Sequence, residues 1–449
     1  MRIVLKVALA SIILTNASTA RATDWLEWRG QNRLAVWHED GILEKFPEDG
    51  LKQSWRIDIG SGYSGPVVSR GRVVTMDYRP KPGTETAEAI ERVICLDEKT
   101  GKLLWKDEWE THYRELMGSY RTGPRATPTI DGDRVYSVGA AGHIRCNQLS
   151  DGKLLWSKDS RQDFNALLPI WGISTSPIID GDLVIFATGG KGEQVRAFNK
   201  RTGREVWKAV PASYELGYSQ FVIYEHAGVK QLIYWDPEAL RSLNPQTGEV
   251  YWSVPMAVRH HMTIATPVKS GANLLVSSFY TGSMLVEMNG KRPTAKKLWH
   301  IQGRNERPTG TQGLHSVITT PVIQDGHFYG TCSYGEMRGL VLASGKRVWE
   351  NKSVTRQGRW GSAYFVRHGD RYFMVNDDGE LLIVRLSPQG IEVVDRTSLI
   401  KPDTESGFGP RRFANSIVNW CHPAFANGHI LIRNDHEIIR ASLQATPQN

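Results

Sequence analysis

Twelve residues suited to holding rings and anions recur at comparable places along this chain: Tyr63, Arg121, Arg125, Trp171, Tyr218, His260, His261, His315, Arg359, Trp360, Trp420 and His422. Indole and phenol faces stack on planar or sugar rings, and guanidinium groups grip anions through paired hydrogen bonds. Gathered at one mouth, such a set makes a cationic, aromatic funnel for an anionic ligand, a glycan or a protein partner. Trp171-Gly172 and Trp360-Gly361 repeat the same pair in two units of the chain. The adjacent His260 and His261 suggest a metal, but neighbours on a strand point to opposite faces, so no metal site is predicted. No G-x-S-x-G, Walker or H-E-x-x-H motif is present, and no catalytic residue is identified.

What must position these residues is a repeat. Trp occurs at 55, 105, 156, 207, 252, 299 and 349, with an eighth slot at Val394. In most units Trp lies four residues after a Gly, as in Thr100-Gly101-Lys102-Leu103-Leu104-Trp105 and Thr202-Gly203-Arg204-Glu205-Val206-Trp207. Between the Trp positions lies a second element, such as Pro128-Thr129-Ile130-Asp131-Gly132-Asp133 or Pro177-Ile178-Ile179-Asp180-Gly181-Asp182. Ser219-Gln220-Phe221 and Ser362-Ala363-Tyr364 fill that slot without Pro. The Asp-Gly pairs are hairpin turns, and Pro opens a strand where its missing N–H is not needed. A period near fifty residues suits one four-stranded blade of a β-propeller.

The first Trp unit, at 52–59, precedes the first Pro unit, and no Trp strand follows the last, at Pro423. The simplest solution stitches the N-terminal strand into the last blade, which leaves no free terminal edge. The expectation is therefore all-β: an eight-bladed propeller of four-stranded antiparallel blades over 52–445, preceded by an extension at 23–51. Seven blades is the alternative count, because the unit at 350–410 is degraded.

The x-L-D-x-x-T-G-x-x-x-W unit resembles the Trp-docking repeat of the PQQ-like propeller family. That family includes the pyrroloquinoline-quinone (PQQ) alcohol dehydrogenases and the propeller of the outer-membrane assembly lipoprotein BamB. Gly123-Pro124-Arg125-Ala126-Thr127-Pro128 is similar to the opening of the second blade in exported members. The resemblance implies one of two functions. The first is a non-catalytic binding or scaffold protein of the cell envelope, working on an envelope protein, glycan or other anionic ligand. The alternative is a divergent quinoprotein oxidoreductase holding PQQ with calcium. The family's enzymes hold PQQ between a Trp and a disulfide of adjacent cysteines, with calcium ligands and an Asp base. This chain has no adjacent cysteines, and Asn376-Asp377-Asp378-Gly379 falls where a hairpin turn is due.

Composition agrees with an exported repeat protein. Residues 1–22 read as a secretory leader: Arg2 and Lys6, a short apolar run at 7–14, and Ala20-Arg21-Ala22 as the cleavage site, with a cut after Ala20 as the alternative. That predicts a periplasmic or secreted protein. No Cys occurs before Cys95, so no lipid anchor is expected, and no later segment is apolar enough to span a bilayer. The net charge of +8 is dispersed and accompanies no nucleic-acid motif, so a nucleic-acid partner is not expected. A monomer is expected. Cys95 and Cys146 share a repeat slot with Ala197, Ser242 and Gly339, all small, which predicts tight packing between blades rather than redox work. Cys332 and Cys421 lie outside that slot.

Overall fold

The computed structural model describes residues 23–83, 88–117, 123–190, 192–406 and 416–445. The leader read at 1–22 therefore lies outside the described residues, as does Arg121. Eight four-stranded antiparallel sheets form a closed ring. Blades 1 to 7 occupy residues 67–112, 129–159, 178–209, 222–255, 268–301, 322–351 and 363–398. Blade 8 takes three strands from 424–442 and its outermost strand from Gln53–Asp58. That strand pairs antiparallel with Glu437–Ser442, placing Trp55 opposite Arg440. The count of eight and the N-terminal closure thus hold. The only α-helix among the described residues is Ser160–Phe164, and no described helix is long and apolar enough to cross a membrane.

The repeat has a direct physical cause. In most blades the Trp on the outermost strand lays its ring against the glycine turn of the next blade, a Thr-Gly, Asp-Gly or Ser-Gly pair. A Cβ added to Gly101, Gly152 or Gly203 would stand 2.6–2.8 Å from ring atoms of Trp55, Trp105 or Trp156. These glycines also hold positive φ near 70°, which other residues adopt only with strain. The indole N–H then donates to a backbone oxygen of that next blade: Trp55 to Glu98 O at 2.8 Å, Trp105 to Leu149 O at 2.9 Å, Trp156 to Lys200 O at 3.1 Å. Trp252 is an exception. Blade 5 has Asn289-Gly290-Lys291 where the Thr-Gly turn belongs, and Trp252 donates instead to Gln231 Oε1 in its own blade.

The small-residue slot needs one correction. Cys95, Cys146, Ala197, Ser242 and Gly339 are the cross-strand partners of Trp105, Trp156, Trp207, Trp252 and Trp349 in their own blades. They are small because their own blade's Trp covers them: a Cβ on Gly339 would stand 2.4 Å from the Trp349 ring. All four cysteines are buried and unpaired. Burial pushes the thiols of Cys95 and Cys421 up to about 12 and that of Cys146 to about 11. A thiolate reagent is therefore expected to find almost no thiol in the native protein and four after denaturation. Fewer than four in denaturant, without reductant, would mean a disulfide exists.

The 23–51 extension is part of the architecture. It crosses the ring on the side of the hairpin turns and enters the channel. There it pairs with the innermost strands, whose inner edges would otherwise be bare. Trp25 and Val68 exchange two hydrogen bonds at 2.9 and 2.8 Å, Leu26 O accepts from Ile130, and Trp37 N donates to Arg367 O at 2.8 Å. Arg33, 1% exposed, donates to Phe221 O at 3.0 Å and to Pro177 O, with Glu27 as counter-ion at 2.9 Å. Glu39 fastens the far end by accepting from Asn427 N at 2.7 Å and from Gly428 N. Residues 25–37 thus stop one end of the channel.

Candidate functional site

The open end of the channel is a cup of about 150 Å3. The segments that enter each blade's innermost strand build it, because in a propeller these turn inward at one face. The repeat explains why such segments converge; irregular backbone decides which side chains face the space. At Gly123 a Cβ would stand 2.5 Å from the Tyr78 ring, and φ is 119°, so only glycine permits the close turn that delivers Arg125. Trp360 holds φ at 74°, a left-handed conformation costly for a bulky residue, and thereby turns its indole to the cup.

Of the twelve residues singled out from sequence, Tyr63, Arg125, Trp171, Tyr218, Trp360 and Trp420 line the cup. Arg125 spreads over the Tyr63 ring at 4.5 Å and donates from Nε to Trp171 O at 2.7 Å. Trp171 packs on Tyr218 with centroids 5.4 Å apart. Burial raises the phenol pKa of both Tyr63 and Tyr218, so neither hydroxyl is a ready base.

The remaining candidates do other work. His315 is sealed: Nδ1 donates to Phe279 O at 2.8 Å, Nε2 accepts from Gly303 N at 3.2 Å, and burial lowers its pKa to about 4. It is a neutral structural histidine. His422 is buried behind the cup, 4.5 Å from Trp28 and 5.0 Å from Tyr364 by ring centroids, and burial lowers its pKa to about 3. Arg359 stacks on Trp360 at 4.5 Å and donates to Tyr280 OH at 2.9 Å, behind the wall rather than in it. His260 and His261 lie in the 3-10 turn Arg259–His261 with φ of 56° and 55°, which corrects the strand assumed from sequence. His261 pairs with Glu215 at 3.1 Å, and His260 sits edge-on to Tyr280. No group of three or more His, Cys, Asp or Glu that could hold a metal occurs among the described residues.

Sequence reasoning missed Trp28, Tyr364, Ser174 and Gln220, and the aliphatic wall of Met262, Ile264, Val317 and Ile318. Trp28 comes from the channel-stopping extension and donates to Thr266 Oγ1 at 3.3 Å. Its signal was the cluster Trp25, Trp28 and Trp37 in a segment without repeats, an excess of aromatic surface that needed a place to be buried. The polar atoms of Gln220 and Ser174 are spent on the ring itself: Gln220 bonds Ser174 O and Ser176 N, and Ser174 bonds Tyr218 O. The lining therefore holds seven Trp or Tyr side chains, one cation and no carboxylate.

The profile of the family described as outer membrane protein assembly factor BamB matches residues 89–293 and 228–403, which together span most of the chain. The chain belongs to the BamB family. An outer membrane protein assembly factor BamB from Yersinia pestis is 24% identical over 284 residues, 60% of this chain and 68% of that one. Its counterpart from Burkholderia pseudomallei is 23% identical over 373 residues, 78% of this chain and 83% of that one. A quinoprotein alcohol dehydrogenase, PedH of Pseudomonas putida, is 26% identical over 151 residues, 32% of this chain and 25% of that one. Among solved structures, the quinohemoprotein alcohol dehydrogenase from Comamonas testosteroni superposes with a TM-score of 0.60 at 11% identity, covering 96% of this chain and 82% of that one. That likeness concerns the fold: the BamB-family propeller described here shares its ring with those enzymes.

Proposed function

We propose that this BamB-family propeller is a non-catalytic binding protein of the cell envelope and that the aromatic cup is its recognition site. The observation that carries the reading is the lining itself: rings and aliphatic chains around a blind space, with no carboxylate, imidazole or thiol facing it. Such a surface recognises shape and apolar area; it has nothing with which to move a proton. The room suits one inserted ring or aliphatic side chain, with Arg125 at hand for an anionic neighbour. The relatives' name, outer membrane protein assembly factor, favours a protein of the envelope as partner over a glycan. The leader at 1–22 and the relatives together support a periplasmic or secreted location.

Trp171→Ala and Trp360→Ala are expected to weaken binding to envelope partners at least tenfold each, about 1.4 kcal/mol or more. Full-length protein immobilised against solubilised outer-membrane proteins, and separately on a glycan array, gives the measurement. Undiminished binding by both variants at unchanged melting temperature would remove the cup from the mechanism.

The quinoprotein reading rests on the repeat and on the partial likeness to PedH. A quinone with three carboxylates asks for several cations, and calcium asks for six or more oxygen ligands. The lining offers Arg125 and no carboxylate, so the residues present do not fit that pair. Adding PQQ with calcium is expected to leave the melting temperature unchanged.

A further inference from the structure

Buried arginines in this ring have partners: Arg433, 0% exposed, donates to the carbonyls of Met76, Gly60 and Asn434, and others are ion-paired. Arg92 donates to Asp77 at 2.7 Å, Arg338 to Glu350 at 3.0 Å and Arg440 to Glu98 at 3.3 Å, as Arg33 does to Glu27. Arg29 is different. It is 4% exposed, lies in the channel-stopping segment and makes no side-chain hydrogen bond or ion pair with any described residue. The neighbours that sense its charge are the Tyr224 phenol and the His422 ring. Tyr224 donates to Pro267 O at 3.0 Å and has its pKa raised by burial to about 12. His422 has its pKa lowered to about 3. Both are neutral at physiological pH and supply no counter-charge. Burial lowers the Arg29 pKa to about 10, so the guanidinium stays charged there.

An unpaired buried charge is costly, and a structure that keeps one leaves a place for its counter-ion. The backbone beside it adds to the cost. Arg29, Asn32, Arg33 and Ala35 all take left-handed φ between 52° and 61°. Such a run persists only where surrounding contacts over-determine it. Arg33 supplies side-chain contacts on one side of the segment; on the other, Arg29 is held through its backbone oxygen, which accepts from Ala35 N at 2.9 Å, and its guanidinium bonds nothing among the described residues.

We propose that the channel space beside Arg29 binds a small inorganic anion, a halide or an oxyanion no larger than phosphate, which neutralises the guanidinium and locks residues 25–37 in the channel. The segment that carries Arg29 stops the channel on one side, and Trp28 lines the cup on the other. The site is separate from the cup, and its occupancy does not depend on what the cup binds.

Two measurements on the full chain test it. Crystals soaked in sodium bromide are expected to show an anomalous peak within hydrogen-bond distance of the Arg29 guanidinium. At constant ionic strength, held with a bulky organic anion, raising bromide, chloride or phosphate from 1 to 100 mM is expected to raise the melting temperature by several degrees. The ion giving the larger rise distinguishes halide from oxyanion. Arg29→Lys is expected to keep a weakened response and Arg29→Met to lose it. If Arg29→Met does not fold, the bromide map and the wild-type titration decide alone. No bromide peak at Arg29 together with no rise in melting temperature from phosphate overturns the proposal, and so does an equal anion response in Arg29→Met.

Discussion

Replacing Gly203 by valine is expected to destabilise the ring by about 4 kcal/mol, at unchanged urea m-value. Two costs combine. Gly203 holds φ at 69°, where a β-branched residue is strained by about 1–3 kcal/mol. A Cβ there would also stand 2.7 Å from Trp156 Cδ2, well inside contact distance. Relieving the overlap lifts the indole from its dock, stretches its 3.1 Å bond to Lys200 O and adds about 1–3 kcal/mol of overpacking. Gly132→Ala separates the two terms. Its φ is 62°, but nothing lies within 4 Å of an added Cβ, so it is expected to cost only about 1–2 kcal/mol. Equal losses in the two variants would show that backbone conformation alone fixes these glycines and that the indole dock adds nothing.

Asp377→Asn is expected to stabilise the protein at pH 8 by on the order of 4 kcal/mol and to leave it nearly unchanged at pH 4. Asp377 sits at the turn between Arg371–Asn376 and Glu380–Ser387, 2% exposed, and its Oδ1 is sealed without a partner. Burial, reinforced by Asp378, raises its pKa from 3.8 to about 7, with Arg356 opposing. The sign follows from linkage. The folded state favours the protonated acid, so no penalty exists below about pH 4. Between there and pH 7 the unfolded chain ionises while the folded one resists, and stability falls by roughly 1.4 kcal/mol per unit. Asn keeps the shape and never ionises, so the variant should lack this decline. Chemical denaturation of both proteins from pH 4 to 8 measures the gap; parallel curves would show that Asp377 ionises freely in the fold.

The same residue shows how sequence and structure divide the information. From sequence, Asn376-Asp377-Asp378-Gly379 reads as a turn, and the turn is there. That Asp377 faces inward while Asp378 reaches Arg356 depends on the loop before blade 7, which packs over it through Ser362. Likewise Trp171 and Trp360 repeat the same dipeptide and both reach the cup. His260 and His261 look like strand residues until a left-handed turn carries them away from it. Arg359 and Trp360 are adjacent, yet a backbone φ of 74° at Trp360 sends one ring to the cup and leaves the guanidinium behind it.

The blade period and the closing strand were legible in the sequence alone, because the interactions that set them are short and repeated; the degraded unit at 350–410 left the count between eight and seven, and the structure decided eight. An indole, a glycine turn and a small cross-strand partner recur about every fifty residues and need no distant information. The tertiary structure decided which loop side chains face the channel, that residues 25–37 stop it, and which buried charges lack a partner. Those outcomes depend on non-repeating backbone and on groups brought together from opposite blades, and no periodicity records them.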